Sequence, residues 1–149
     1  MRFLLLTILS ALPCAAQFLS IDVGFQGIGC VSCIESLPDR VKRLRGVESA
    51  TVDAEHAILK LQLSSPNRVR LEQVRDMIEQ DGTKVRKAAV RVKGELARRD
   101  GKWMLQPEGA SVAYAVEATD SSLTPGVKTI AGEVVDLHPE SGPLVIHIR

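Results

Sequence analysis

The stretch FLSIDVGFQGIGCVSCIESLPDRVKRLRG, residues 18–46, decides how the chain folds. Its first eight residues alternate, with Ile21, Val23 and Phe25 on one face, which predicts a strand. Gly27-Ile28-Gly29 breaks that strand. After Cys30 the period changes: Ile34, Leu37, Val41 and Leu44 recur at helical spacing, and Gly46 supplies the stop. Arg40, Lys42, Arg43 and Arg45 suit the negative end of the helix dipole. Pro38 is discordant, because it removes a backbone donor, and it predicts a kinked or late-starting helix. Cys30 and Cys33 stand at the junction between strand and helix.

Further along, residues 47–53 and 57–63 read as two strands around a turn at Ala54-Glu55-His56. Ser64 to Asn67 reads as loop. Leu71, Val74 and Ile78 mark a second helix closed by Asp81-Gly82, and Lys84 to Ala88 reads as a last strand. The order is βαββαβ, a ferredoxin-like arrangement. From Ala89 the helical period disappears, and short apolar runs alternate with turns such as Asp100-Gly101 and the loop 120–126. Residues 89–149 are therefore expected to form a separate small antiparallel β-barrel, loosely OB-like. The fold class is α+β, and residues 17–88 are expected to fold on their own.

The first sixteen residues read as a secretory leader. Met1-Arg2 is followed by an apolar run to Leu12 and by Cys14-Ala15-Ala16, with cleavage expected before Gln17. The run is shorter than the roughly 20 residues that span a bilayer, and no stable membrane insertion is expected. Pro13 before Cys14 argues against lipid attachment there. The protein is thus expected to be secreted, or periplasmic if bacterial. Charge is balanced: residues 17–88 hold eleven Lys and Arg against ten Asp and Glu, and residues 89–149 hold seven against eight. That balance and the 3% aromatic content argue against a nucleic-acid partner.

Once Cys14 leaves with the leader, Cys30 and Cys33 remain, too few for a disulfide scaffold. Thiolate is the ligand form of cysteine, and a helix N-terminus favours negative charge, so both sulfurs should ionise readily. Soft thiolates select soft ions such as Cu(I), and by the same softness Hg(II); Zn(II), which prefers four ligands, fits less well. His56, His138 and His147 lie far from the pair in sequence and read as ordinary surface or strand histidines. Three other readings stay open. The pair could be a local disulfide or idle thiols, or it could serve a thiol–disulfide redox protein. The barrel could be an interaction module, with Trp103 and Tyr114 as its contacts and the cysteines vestigial. No cluster of acids and histidines suggests hydrolysis, Glu133 and Asp136 read as solvated strand positions, and the chain is expected not to be an enzyme.

Over residues 18–88 the chain resembles the heavy-metal-associated (HMA) family, whose members carry GMTCxxC after the first strand of a βαββαβ domain. The likeness rests on Cys30 and Cys33, the apolar positions 34, 37, 41 and 44, Gly46-Val47, Val52-Asp53 and the stretch from Ile78 to Gly82. It implies that the pair binds a soft ion and passes it to a transporter or acceptor protein by ligand exchange. With export, the functional likeness is to periplasmic mercury-binding proteins. This chain departs from the pattern in three places. Ile28 replaces the methionine, a volume-preserving change. Gly29 replaces the threonine and removes a capping hydroxyl. Thr83 stands where an aromatic residue is usual, with Lys84 beside it as a possible balancing charge.

Overall fold

The computed structural model describes residues 17–27, 30–107, 110–120 and 122–149. The leader read over residues 1–16, with its expected cleavage before Gln17, lies outside them, as do Ile28 and Gly29. Among the described residues ten elements follow one another: β1 (Gln17–Gln26), α1 (Val31–Val41), β2 (Val47–Asp53), β3 (Ile58–Leu63), α2 (Leu71–Glu79), β4 (Lys84–Arg99), β5 (Lys102–Gln106), β6 (Tyr114–Ala118), β7 (Gly126–Val134) and β8 (Val145–Ile148).

The first six run βαββαβ, and their sheet order is β2-β3-β1-β4 with every neighbour antiparallel. Both helices pack on one face, through Leu37 and Val41 of α1 and Leu71, Val74 and Ile78 of α2. The inward residues of β1, Ile21, Val23 and Phe25, are buried against them. Pro38 lies inside α1, which starts at Val31 and runs on to Val41, so the expected late start does not occur. Its missing N–H falls in the third turn and forgoes the one bond that would reach the Ile34 carbonyl; the chain after it closes with Lys42 N–H donating to the Pro38 carbonyl at 2.9 Å. The helix ends sooner than the apolar period suggested, and Leu44 packs on the core from the turn beyond it.

The second half departs most from expectation. The strand expected to stop at Ala88 continues to Arg99 as one sixteen-residue strand. Its first part pairs with β1, from Gln26↔Lys84 to Gln17↔Lys93. Its middle pairs along the opposite edge with β7, from Ala88↔Val134 to Leu96↔Gly126. Its end turns through Asp100-Gly101 into β5. β5 pairs with β6, β6 with β8, and β8 with β7, which closes a circuit of five strands through β4. That circuit is not wholly antiparallel, because β6 and β8 run parallel.

The two halves also share a core. Tyr114 of β6 is 1% exposed, and its ring meets that of Phe18 edge-on at 5.3 Å between centroids. Its hydroxyl accepts from the Leu71 N–H at 3.4 Å and donates to Glu72 Oε2 at 3.1 Å, capping α2 from the other half. Burial and the Glu72 carboxylate hold its phenol well above the usual range. Tyr114 is therefore unavailable as a surface contact, correcting the role given it in the interaction-module reading. Arg75 donates to the Leu137 carbonyl at 2.6 Å, and His138 meets Glu79 at 2.8 Å, adding two further ties.

Candidate metal centre

β1 delivers the chain to the site and α1 carries it away. Gly27 sits in the left-handed region at φ +78° with open space around it, so backbone conformation alone asks for glycine there. Cys30 is extended at φ −148° and ψ 144° and is the N-cap of α1. Its sulfur accepts from the Cys33 N–H at 3.1 Å, the position a serine or aspartate oxygen takes in an ordinary cap. The Ser32 hydroxyl lies 3.4 Å from the same sulfur. Both cysteines thus stand where unpaired N–H groups and the helix dipole favour an anion. No acidic residue competes for that field in the first turn.

Cys30 is exposed and Cys33 half-buried, and Val31 between them is 73% exposed, so the pair is open to solvent. The two are joined as a disulfide across a Cα–Cα separation of 5.4 Å. In that form neither sulfur is a thiolate. Two electrons must be added to break the S–S bond into two thiolates before the pair can ligate a metal.

The strand register puts Lys84 opposite Gln26, the last residue of β1 before the cysteine loop. Thr83 faces inward and is 2% exposed. Its N–H and hydroxyl both donate to Asp81 Oδ1, at 3.1 and 2.6 Å, while Arg40 Nη2 lies 2.9 Å from Asp81 Oδ2. Partial burial works against ionisation of Asp81, but the Thr83 hydrogen bonds and the Arg40 charge outweigh it, and its carboxyl sits below the usual range. The arrangement ties the loop after α2 to α1. It escapes a reading of the sequence because no local pattern links positions 40 and 81.

The three histidines are each held by an acid: His56 by Asp53 at 3.0 Å, His138 by Glu79 at 2.8 Å and His147 by Glu117 at 3.4 Å. Among the described residues no group of three or more His, Cys, Asp or Glu is placed to hold a metal. Glu133 pairs with Lys87 and Arg149. Trp103 is half-buried with the Arg98 guanidinium over its ring at 5.4 Å. No helix among the described residues is long and apolar enough to cross a membrane.

Neither a protein-family model nor a curated protein sequence matches the chain. Among solved structures, it is similar to the CopZ metallochaperone at 27% identity, over 44% of this chain and 97% of that one, with a TM-score of 0.39. It is similar also to a copper-binding domain of the P-type ATPase HMA7 at 27% identity, over 44% of this chain and 88% of that one, with a TM-score of 0.40. In its own strand order, and in a CxxC pair capping the first helix, the first half of this chain resembles an HMA domain.

Proposed function

We propose that the reduced chain binds one soft metal ion, Cu(I) or Hg(II), through Cys30 and Cys33 and passes it to a transporter or acceptor protein. The observation that carries this reading is the sulfur cap. One cysteine caps the helix, the other sits in its first turn, and both are open to solvent. Two thiolates there would share the N-terminal field of α1 and would suit a two-coordinate d¹⁰ ion. Zn(II) would need two further ligands, which no neighbouring histidine or acid group supplies among the described residues. An open position also suits transfer, since an incoming thiolate can add before the first one leaves. In this proposal the chain is exported, residues 17–88 are the metal-binding unit and residues 89–149 a small OB-like unit. The five-strand circuit supports the last point, as does its loose closure between β7 and β8, which share the single register pair Glu133↔His147.

Competitive titration of Cu(I) between a chromophoric chelator and the fully reduced protein tests the proposal, with oxidised protein as the control. Tight one-to-one binding by the reduced form alone is expected, and binding that falls with acid as protons compete for the thiolates. Equal uptake by both forms would exclude the cysteine pair. The disulfide favours a second reading, a thiol–disulfide redox protein. Insulin reduction by dithiothreitol separates the two, because a redox protein accelerates it and a metal carrier does not.

A further inference from the structure

The βαββαβ unit has two ends that differ in charge. β1 runs from Gln17 toward the cysteine loop and α1 returns, so the turn after α1 lies at the start of β1, far from the cysteines. The loop before α2 lies at that same end. Asn67 N–H donates to Gln17 Oε1 at 2.8 Å, and Asn67 Nδ2 donates to the Phe18 and Ser64 carbonyls at 2.8 and 2.7 Å. Gly46, at φ +108°, presses so close that a Cβ there would stand 2.7 Å from the Asn67 Cβ. Ser64 N–H adds a 2.9 Å bond to the Gly46 carbonyl.

These two locked turns carry Lys42, Arg43, Arg45, Arg68 and Arg70, and within residues 42–46 and 66–70 there is no acid at all. Four of the five are exposed and Arg70 is half-buried. Among the described residues none of the five forms an ion pair. Asp39, Glu48 and Glu72 border the patch, and Glu72 already accepts from the Tyr114 hydroxyl. The N-terminus of α2 adds its positive field at the same place. At the cysteine end the charges are mixed and mostly paired: Asp53 with Lys60 and His56, Asp81 with Arg40, and Glu79 with His138.

We propose that the basic end is a docking face for an anionic phospholipid surface, which holds the chain with its cysteine pair pointing away from the lipid. The cations sit on two exposed turns at the tip of the domain, not along a strand edge or helix face that a peptide could extend, which suits a flat surface. The even balance of charge over the chain argues against a nucleic acid. Four of the five are arginines, whose planar forks take headgroup phosphate oxygens in pairs. The charge asymmetry orients the bound domain, since the other end offers no comparable cluster of unpaired cations among the described residues.

Co-sedimentation of the full chain, with the pair left oxidised, tests this apart from any metal binding. Vesicles of phosphatidylcholine alone are compared with vesicles also containing phosphatidylglycerol, and the Arg43 and Arg45 reversals below separate the patch from any contribution of residues 1–16. The expected result is partition onto the anionic vesicles that disappears at high salt. Each of Arg43→Glu and Arg45→Glu should lower it more than fivefold, since loss of one cation alone is worth about that factor. Arg43→Lys should retain most of it, and Glu55→Lys at the other end should not reduce it. Circular dichroism confirms that each variant is folded before its result is counted. Equal binding to neutral vesicles would overturn the proposal, as would indifference to the Arg43 and Arg45 reversals. Tighter binding to poly-glutamate or to DNA than to the anionic vesicles would overturn it too.

Discussion

The half of the chain before residue 89 and the half after it share β4 but carry different kinds of residue. In the first half the reactive groups sit at a tip: Cys30 caps a helix and Cys33 lies in its first turn, where little of the core depends on them. In the second half the most consequential side chain, Tyr114, is wholly inside, closing over Phe18 and capping α2. Chemistry at the first site should therefore be separable from stability, while the second half should be felt throughout the molecule. The contrast also shows why a boundary drawn at 88/89, where the helical period ends, falls within a strand. β4 serves both units, and β1 takes its partners Ala89, Val90, Arg91, Val92 and Lys93 from beyond that boundary.

The largest effect should come from cutting the chain there. A fragment of residues 17–88 leaves the first six residues of β1 without one ladder and uncovers Phe18, whereas a fragment of residues 17–99 keeps the ladder. Because β1 draws partners from residues 89–93, the expectation from sequence that residues 17–88 fold alone is replaced. The longer fragment should melt cooperatively and the shorter one lack a cooperative transition by circular dichroism. If both melt alike, the first half is self-sufficient and the shared strand is incidental.

Next in size is the cysteine pair. Cys30→Ala or Cys33→Ala alone should weaken Cu(I) or Hg(II) binding about a thousandfold, roughly 4 kcal/mol, because half the ligand set is lost and no neighbouring group replaces it. The urea midpoint should move little for Cys33→Ala. Cys30→Ala also loses the cap and should cost about 1 kcal/mol. Chelator competition and denaturant titration on the same samples decide it; loss of metal binding accompanied by general unfolding would contradict the separation of site from core.

Tyr114→Phe comes third. It keeps the ring against Phe18 but leaves the buried Leu71 N–H without its acceptor and Glu72 without its donor. A cost of about 1–2 kcal/mol follows from the unsatisfied donor. It should appear as a lower urea midpoint at unchanged slope. A variant as stable as the parent would mean that water replaces the hydroxyl and that the cap from the second half is dispensable.

The helix-bearing half was legible in the sequence because its signals are local. Ile21, Val23 and Phe25 alternate, Leu37 and Val41 keep the helical period, and the cysteines fall at the junction. What escaped was the continuity of β4. Its buried positions are Val85 and then Ala88, Val90 and Val92, so the period of two slips by one residue at Arg86-Lys87. There Gly24 pairs with Lys87 and Phe25 with Val85, leaving Arg86 as the extra residue of a bulge. A bulge in a long strand looks like the end of one strand and the start of another. The parallel pairing of β6 with β8, the burial of Tyr114 and the Arg40–Asp81 pair were hidden for a different reason: each joins residues tens of positions apart.

The smallest expected effect tests one of the ties between the halves, Glu79 with His138. Partial burial of Glu79 opposes its ionisation, but the Val85 N–H, which donates to Oε1 at 3.0 Å, and the His138 contact outweigh it, so its carboxyl sits below the usual range in the folded chain. A carboxyl whose folded pKa is lowered binds protons more weakly than in the unfolded chain. Its contribution to stability is present above the ordinary glutamate value of 4.5 and is lost as pH falls through the lower folded value. Glu79→Gln removes that titration while keeping a side-chain oxygen that can still accept from Val85. The variant should be modestly less stable than the parent at pH 7, and the gap should narrow as pH falls below about 4.5, where the parent's carboxyl protonates. Asp81→Asn should behave the same way from a lower starting point, 3.8, but its partners Arg40 and Thr83 lie within the first half. Coupling to the second half is what separates the two. In a double-mutant cycle His138→Ala should be non-additive with Glu79→Gln and additive with Asp81→Asn. Additivity in both cycles would reduce Glu79–His138 to a surface contact and leave Tyr114, Arg75 and β4 to hold the halves together.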